Sequence, residues 1–226
     1  MAMRKYLLCF CFSLAVADAL AVGTSLETDA EKYSYAIGIN FAQSLMRQGA
    51  PLDPDSVYMA MRDALEGAQP RLPAEEMSAA LRKESQKAGE LKRELAGQNL
   101  HKGKEYMAKN KNKDGVTTMA NGIQYEVLRK GDGVQPSPKD KVKVHYSGTL
   151  IDGREFDNSK NRGEPATFGL DGVIRGWREV LPLMRVGSRW LVTIPPDLAY
   201  GINGAGSAIG PNETLVFEIE LLDVLK

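Results

Sequence analysis

Side chains that act as nucleophiles, metal ligands or proton shuttles are few in this sequence. Its two cysteines, Cys9 and Cys11, stand near the N-terminus, and its two histidines, His101 and His145, are far apart. Neither pair joins aspartates or glutamates in a cluster at the spacing of metal ligands. The Gly-x-Ser-x-Gly turn that presents a catalytic serine is also missing. We therefore expect a site without a metal and without a cofactor.

A glycine-rich segment, residues 201–210, looks at first like a loop that cradles phosphate. Such a loop follows a strand and opens a helix, whose N-terminus holds the anion. This segment instead leads into a predicted strand at Thr214–Leu222, and it lacks the Gly-Lys-Ser/Thr ending. Chance or a mobile flap explains its glycines better.

Five short motifs in the second half of the chain carry the strongest functional signal. They are Val144-His-Tyr-Ser-Gly-Thr-Leu150, Asp152-Gly-Arg-Glu-Phe-Asp157, Val173-Ile-Arg-Gly-Trp177, Ala199-Tyr-Gly201 and Leu215-Val-Phe-Glu-Ile-Glu-Leu221. In this order and spacing they strongly resemble the FKBP-type peptidyl-prolyl cis/trans isomerases, over residues 120–226. Residues 27–110 resemble the helical N-terminal domain of the macrophage infectivity potentiator branch, through Tyr35-Ala-Ile-Gly38 and Met61-Arg-Asp-Ala-Leu65. The resemblance implies an enzyme that accelerates rotation about X-Pro bonds.

The resemblance also implies a substrate pocket, with Asp157, Tyr200 and Tyr146 as its catalytic residues. Trp177 would form the floor under the proline ring, while the Ile174 backbone N–H and the Tyr200 hydroxyl would hold substrate carbonyls. Asp157 would either orient Tyr146 or interact with the rotating carbonyl. The implied substrate-binding residues are Phe156, Phe168, Val173, Ile174, Trp177, Ile209 and Phe217.

Each apolar residue of this set, such as Val173 or Phe168 taken alone, could equally belong to an ordinary core. Asp157 argues against that explanation for the set, because a carboxylate directly after Phe156 and among aromatic residues needs a reason to be there. Ala166 stands where many single-domain relatives carry an aromatic residue. The pocket is therefore expected to have one more open wall.

The elements that must position these residues follow from hydrophobic periodicity. Beyond Gly115, apolar residues alternate with polar ones in several short stretches, which predicts an antiparallel sheet of about five strands. One amphipathic segment, Ile174–Met184, interrupts them and is expected to cover the apolar side of the sheet. The predicted fold class is α+β. The resemblance implies that the sheet is an FKBP-like half-barrel wrapped on this short helix.

Residues 27–110 show helical spacing and predict an all-α N-terminal arm. The first helix, near Thr28–Gln48, has an apolar stripe through Tyr33, Ile37, Phe41 and Leu45. A second begins at Asp53-Pro54, an N-cap followed by proline in the first turn. A third starts near Pro73, runs past Tyr106, and alternates acidic with basic residues on its outer faces, as a solvated stalk does.

We expect four parts along the chain: a signal peptide at residues 1–21, a helical dimerisation domain at 27–72, a stalk helix and linker at 73–114, and an isomerase domain at 115–226. Homodimerisation is expected because about 80 residues of helices, without a sheet to cover them, bury little surface by themselves. Met46, Met59, Met61 and Met77 suit such an interface, although they could equally fill a monomeric core.

The N-terminus predicts export. Two basic residues, Arg4 and Lys5, precede an apolar run, as in a secretory signal peptide. The small-x-small pattern Ala19-Leu20-Ala21 places cleavage after Ala21, and Ala15-Val16-Ala17 is the competing site. The alternative is an uncleaved membrane anchor, but the run is shorter than the ~20 residues that span a bilayer. Cleavage would remove both cysteines, which suits an oxidising space such as a bacterial periplasm. A free periplasmic location and an outer-membrane association both remain open.

Charge and composition limit the partners. Lys plus Arg and Asp plus Glu each number 29 among the 226 residues, so no net field attracts nucleic acid. The expected partners are proline-containing unfolded or nascent exported proteins, macrolide inhibitors such as rapamycin, and a second copy of the chain. The main alternative function is a chaperone or adhesion module that binds unfolded chains without needing turnover.

Overall fold

The computed structural model describes residues 25–47 and 52–226. The expected signal peptide, with Cys9 and Cys11, lies outside the described residues. The chain divides into two compact units at Leu52/Asp53, so that the first helix belongs to one unit and everything from Asp53 onward to the other. Of the helices within the described ranges, none has the length and apolar character to cross a membrane.

Within the described residues, three helices precede the sheet: α1 at Asp29–Arg47, α2 at Pro54–Leu65 and α3 at Ala74–Asn110. A capping box starts α1, because the Thr28 backbone N–H donates to the Glu31 carboxylate and the Glu31 N–H donates to the Thr28 hydroxyl. The Asp53 carboxylate caps α2 by accepting from the Ser56 N–H. With 37 residues, α3 is about 55 Å long.

One antiparallel sheet of seven strands forms the C-terminal part. Its strands are β1 (Val116–Thr118), β2 (Gln124–Arg129), β3 (Lys141–Leu150), β4 (Glu155–Asn158), β5 (Ala166–Gly169), β6 (Arg189–Ile194) and β7 (Leu215–Leu225). Their order is β1-β2-β6-β7-β3-β4, and β5 pairs with the first half of β3. The sheet thus has more strands than the number of about five that the sequence predicts. β1 and β5 have three and four residues, too few to show a clear alternation.

The core lies between this sheet and one short helix, α4, at Arg175–Val180. The observed helix is shorter than the one predicted at Ile174–Met184. A 3₁₀ turn at Leu181–Leu183 replaces its second half, because Pro182 lies in this turn. Among the side chains without solvent exposure are Val144, Val180, Leu181, Ile194 and Ile219. α4 carries Trp177 at the centre of this core, and the sheet presents the aromatic residues that surround it.

Candidate active site

A cavity of 270 Å³ opens between α4, the inner face of the sheet and the segment before the glycine-rich flap. Nine of the ten predicted site residues line it, and Gly172 completes the lining. The lining residues are Tyr146, Phe156, Asp157, Phe168, Gly172, Val173, Ile174, Trp177, Tyr200 and Phe217. Residues far apart in the sequence therefore meet in one concave and mainly apolar site.

Trp177 lies at the bottom of this cavity, with 4% of its surface exposed. Three aromatic rings meet it edge to face: Tyr146 at a centroid distance of 5.2 Å, Phe217 at 5.3 Å and Phe168 at 5.6 Å. Edge-to-face contacts place the positive edge of one ring against the negative face of another. The rings hold each other in fixed orientations, which gives the cavity a rigid apolar floor.

Gly148 on β3 makes room for the aromatic wall. A Cβ atom at this position would lie 2.6 Å from Phe156 Cζ and 2.8 Å from Phe217 Cε1. The two phenyl rings, which meet edge to face at 5.5 Å, therefore pack directly on the backbone of the strand. Any side chain at residue 148 would displace one of them from the cavity.

Asp157 lies at the edge of the cavity in a three-residue network. Its carboxylate accepts a hydrogen bond from the Tyr146 hydroxyl and another, of 2.6 Å, from Arg162 Nη1. Arg162 Nη2 also donates to the Tyr146 hydroxyl oxygen over 2.8 Å. Burial acts to raise the pKa of the Asp157 carboxyl, but these bonds outweigh it and hold that pKa below its ordinary value. At neutral pH, Asp157 is an ionised acceptor whose oxygens are already engaged.

The two tyrosines of the site remain protonated at neutral pH. Burial, followed by the hydrogen bond to Asp157, raises the pKa of Tyr146. Burial and the negative charge of Asp157 likewise raise the pKa of Tyr200. Tyr200 is 39% exposed, and its hydroxyl has no hydrogen-bond partner among the described residues. Tyr200 therefore contributes to the cavity lining a neutral hydroxyl that can donate a hydrogen bond.

Of the two isoleucines predicted to bind substrate, Ile174 lines the cavity and Ile209 does not. Ile174 precedes the first turn of α4, where backbone N–H groups have no partner within the helix. Ile209, which was also predicted to bind substrate, is buried in the core and does not line the cavity. Its backbone instead pairs with Ala205 and closes the glycine-rich flap on itself. Its side chain packs in the hydrophobic core.

Three residues of the site were missed by the sequence prediction: Arg162, Gly148 and Gly172. Gly148 stood inside a motif that carries the family resemblance, which is a signal that could have identified it. Arg162 lies five residues after Asp157 in a polar turn, and nothing in that turn distinguishes it from Arg154. No group of three His, Cys, Asp or Glu side chains in the described parts of the chain is placed to hold a metal ion.

Comparison with known proteins identifies the family. The family described as FKBP-type peptidyl-prolyl cis-trans isomerase matches residues 133–222. The outer membrane protein MIP of Legionella longbeachae is 41% identical over 220 residues, which are 94% of this chain and 94% of that protein. The chain belongs to the FKBP-type peptidyl-prolyl cis-trans isomerases. Its predicted family, its α+β fold class and its activity as an isomerase are thereby confirmed.

Other FKBP-type relatives cover the helical part as well. The domain amino terminal to FKBP-type isomerases matches residues 30–127. The FKBP-type 22 kDa isomerase of Escherichia coli strain K12 is 43% identical, over 89% of this chain and 98% of its own length. The crystal structure of FkpA from Escherichia coli has a TM-score of 0.63 and 39% identity, and covers 89% of this chain and 99% of that one. The helical arm and the sheet domain thus occur together in other members of the family.

Proposed function

We propose that the aromatic cavity is where this FKBP-type isomerase rotates X-Pro bonds, with Asp157, Tyr146 and Tyr200 as its catalytic residues. The observation that supports this most directly is the single ionised carboxylate at the edge of an otherwise apolar cavity, held by Tyr146 and Arg162. A site for acyl or phosphoryl transfer requires a nucleophile or a general base. In this cavity the one carboxylate is engaged by Tyr146 and Arg162, so the site offers a shaped apolar space and oriented hydrogen-bond donors in place of a free base.

Such a cavity suffices for the reaction because the barrier is electronic. The planar amide is stabilised by resonance, and rotation has a barrier of ~18–20 kcal/mol in water. The twisted amide has lost that resonance and much of the charge separation that water solvates. Transfer from water into an apolar cavity therefore disfavours the planar ground state more than the twisted transition state. Rotation is accelerated without proton transfer and without a covalent intermediate.

The polar groups at the rim would then select the twisted state. The proline ring would rest on Trp177, while the Tyr200 hydroxyl and the Ile174 N–H would hold carbonyl oxygens of the peptide. The Asp157 network would orient Tyr146 beside the rotating carbonyl. A barrier lower by about 5–7 kcal/mol corresponds to four or five powers of ten in rate. Desolvation together with two or three oriented hydrogen bonds is of that size.

The test is a protease-coupled proline isomerisation assay on the mature protein, with and without rapamycin. A variant that carries both Asp157→Ala and Tyr200→Phe is compared with the wild type. We expect acceleration that rapamycin blocks, because a macrolide would occupy the same apolar cavity, and that the double variant largely loses. Wild-type acceleration in the double variant would refute the assignment of these two residues.

The alternative is a chaperone that binds unfolded chains without turnover. Exposed apolar residues on the helical part favour some binding of this kind, among them Tyr33 and Leu65, which are 69% and 85% exposed. Suppressed aggregation of a client with no isomerisation would establish this function in place of catalysis. Both activities in one protein would show that the arm adds chaperone action to the enzyme.

We also propose that residues 27–72 form a homodimerisation domain, that 73–114 serve as stalk and linker, and that 115–226 form the isomerase domain. In α1, Tyr33, Ile37, Phe41 and Met46 are between 46% and 76% exposed. In α2 no residue is buried. Helices this open do not complete a core alone, and a second copy of the chain would supply the missing surface.

A cavity of 470 Å³ in the helical part supports this proposal. It lies between α2 and the start of α3 and is larger than the aromatic cavity, yet its lining lacks an aromatic cluster around a charged group. Its main apolar lining residues are Met59, Ala60, Ala64, Leu72 and Met77. The chemistry of the reaction therefore belongs to the smaller cavity, while the larger one suits an apolar side chain from a partner. Light scattering is expected to give twice the chain mass, and a monomeric mass would refute the dimer.

For location, we propose export by a signal peptide cleaved after Ala21 and residence in the bacterial envelope. The basic residues and short apolar run at the N-terminus support it, as does the name of the Legionella relative, an outer membrane protein. Mass spectrometry of the mature protein tests the cleavage site. A retained N-terminal methionine would contradict it, and fractionation would separate a free periplasmic protein from one bound to the outer membrane.

A further inference from the structure

The loop that follows the glycine-rich flap is attached to the residue beside Tyr200. The Asn212 backbone N–H donates to the Gly201 carbonyl oxygen over 2.8 Å. Asn212 has a φ of 54°, in the left-handed region, where asparagine is one of the few side chains that occur regularly. The conformation of this loop therefore determines where the backbone of Gly201, and with it Tyr200, is held.

The same loop is also bonded to helix α3. Asn99 Nδ2 donates to the Pro211 carbonyl oxygen over 2.9 Å, and Asn212 Nδ2 donates to the Ala96 carbonyl oxygen over 3.4 Å. The two bonds run in opposite directions between helix and loop. A pair of this kind fixes the relative orientation of both backbones as well as their distance.

Packing at the next turns of α3 reinforces these bonds. A Cβ atom on Gly103 would lie 2.2 Å from Thr214 Oγ1, so the helix backbone rests directly on Thr214, which is 1% exposed. Further along, Gln124 Nε2 donates to the Met107 carbonyl oxygen and Asn110 Nδ2 donates to Gln124 Oε1. The helix is thus packed against the sheet domain from Ala96 to Asn110.

The N-terminal half of α3 lacks such contacts. Leu81 and Leu91 are 74% and 57% exposed, whereas Ala96 is 3% exposed. A helix that served only as a spacer would have no reason to present the half-buried amide of Asn99 to the loop that anchors an active-site tyrosine. The change in burial at Ala96 separates a free part of the helix from a part that belongs to the sheet domain.

We propose that Asn99 and Asn212 are positioning residues for the isomerase reaction. Through them, the C-terminal part of α3 holds the loop at Pro211–Asn212, this loop holds Gly201, and Gly201 places the Tyr200 hydroxyl at the cavity. The end of the stalk is on this account a component of the catalytic apparatus. The inference rests on the role proposed above for Tyr200.

A double-mutant cycle in the full-length protein tests this chain of contacts. The variants are Asn99→Leu, Tyr200→Phe and the combination of the two. Leucine has nearly the shape of asparagine and is a good helix former, but it has no amide. The control is Gln98→Leu, because Gln98 is exposed and its amide bonds only the neighbouring Glu94.

We expect Asn99→Leu to lower kcat/KM for a proline tetrapeptide about fivefold, the factor that one neutral hydrogen bond is worth. Gln98→Leu should have wild-type kcat/KM. In the Tyr200→Phe background, Asn99→Leu should add no further loss, because the hydroxyl that it positions is gone. A general loss of stability would lower kcat/KM by the same factor in both backgrounds.

Unchanged kcat/KM in Asn99→Leu, or equal losses in the two backgrounds, would overturn the positioning role. Wild-type activity in Tyr200→Phe alone would instead overturn the assignment of Tyr200, and the positioning role with it. Should Asn99→Leu fail to fold, Asn212→Gly replaces it in the cycle. Glycine accepts the positive φ and keeps the backbone N–H, so this variant removes only the side-chain bond to Ala96.

Discussion

Asp157 keeps its negative charge in an aromatic cavity because Tyr146 and Arg162 both donate to it. The lowered pKa of Asp157 and the raised pKa values of Tyr146 and Tyr200 both widen the pH range over which the site keeps one charge state. Asp157 is ionised at every pH above the range in which a carboxyl ordinarily titrates. Both tyrosines are protonated at every pH below the range in which a phenol ordinarily titrates. The charge state of the site is therefore constant over the physiological range.

This predicts that kcat/KM for a tetrapeptide is flat between about pH 5 and pH 9. The contribution of the Asp157 bonds to folding should be present above the unfolded-state pKa of about 3.9 and should be lost as the pH falls through the lower folded-state pKa. Isomerisation rates measured at intervals across this pH range test whether kcat/KM is flat. A bell-shaped profile centred inside it would contradict the assigned protonation states.

Arg162 is predicted to matter for activity although it does not line the cavity. Arg162→Ala removes a donor from Asp157 and another from Tyr146, so we expect kcat/KM to fall about threefold to tenfold. Arg154→Ala is the matched control, since Arg154 forms a similar exposed pair with Asp152 outside the site. Equal activity of the two variants would show that the Tyr146–Asp157 pair needs no third member.

At the scale of elements, α3 contains glycines in opposite environments. A Cβ on Gly97 would meet nothing within 4 Å, whereas one on Gly103 would lie 2.2 Å from Thr214 Oγ1. Glycine inside a helix is less favourable than alanine, so the glycine at 103 is retained for the close approach to the sheet domain.

Two alanine variants should therefore change stability in opposite directions. Gly97→Ala is expected to stabilise the protein by up to about 1 kcal/mol through helix propensity. Gly103→Ala should destabilise it by about 1–3 kcal/mol, because Thr214 or the helix must shift. Urea unfolding followed by the tryptophan signal of the sheet domain measures both. A stabilising Gly103→Ala would show that the helix is not held against Thr214.

The elements differ in how far the sequence predicts them. The i+4 stripe from Tyr33 to Leu45 is long enough to predict α1 within one residue at each end. β1 and β5 are held in the sheet by pairing with β2 and β3, a tertiary effect that leaves little trace in three or four residues. Ile209 and Arg162 show the same limit for the site. Whether each contacts the cavity depends on how a turn folds, which local periodicity does not report.

At the scale of the whole molecule, loss of the proposed dimer should affect activity on a large protein client but not activity on a short peptide. Phe41→Asp places a charge in the apolar stripe of α1 and should yield monomers by light scattering. The kcat/KM for a tetrapeptide should stay at the wild-type value, because one cavity serves a short substrate. Acceleration of a proline-limited refolding reaction should decrease, because two cavities on long arms would no longer act on one client.

The control for this variant is Gln43→Asp, on the exposed surface of the same helix. It should remain dimeric and retain both activities. A dimeric Phe41→Asp would place the interface elsewhere, and a monomer with unimpaired refolding activity would show that pairing serves stability alone.

The strand order has a consequence for how the domain is made. β7, at Leu215–Leu225, pairs with β6 on one side and β3 on the other, and it follows all the other strands in the chain. Backbone pairing within the sheet therefore joins the β1-β2-β6 part to the β3-β4-β5 part only through its final strand. As the polypeptide emerges N-terminus first, the two parts stay unjoined until β7 is free, because residues 215–220 pair with both β6 and β3. Until then the nascent enzyme cannot complete its own sheet.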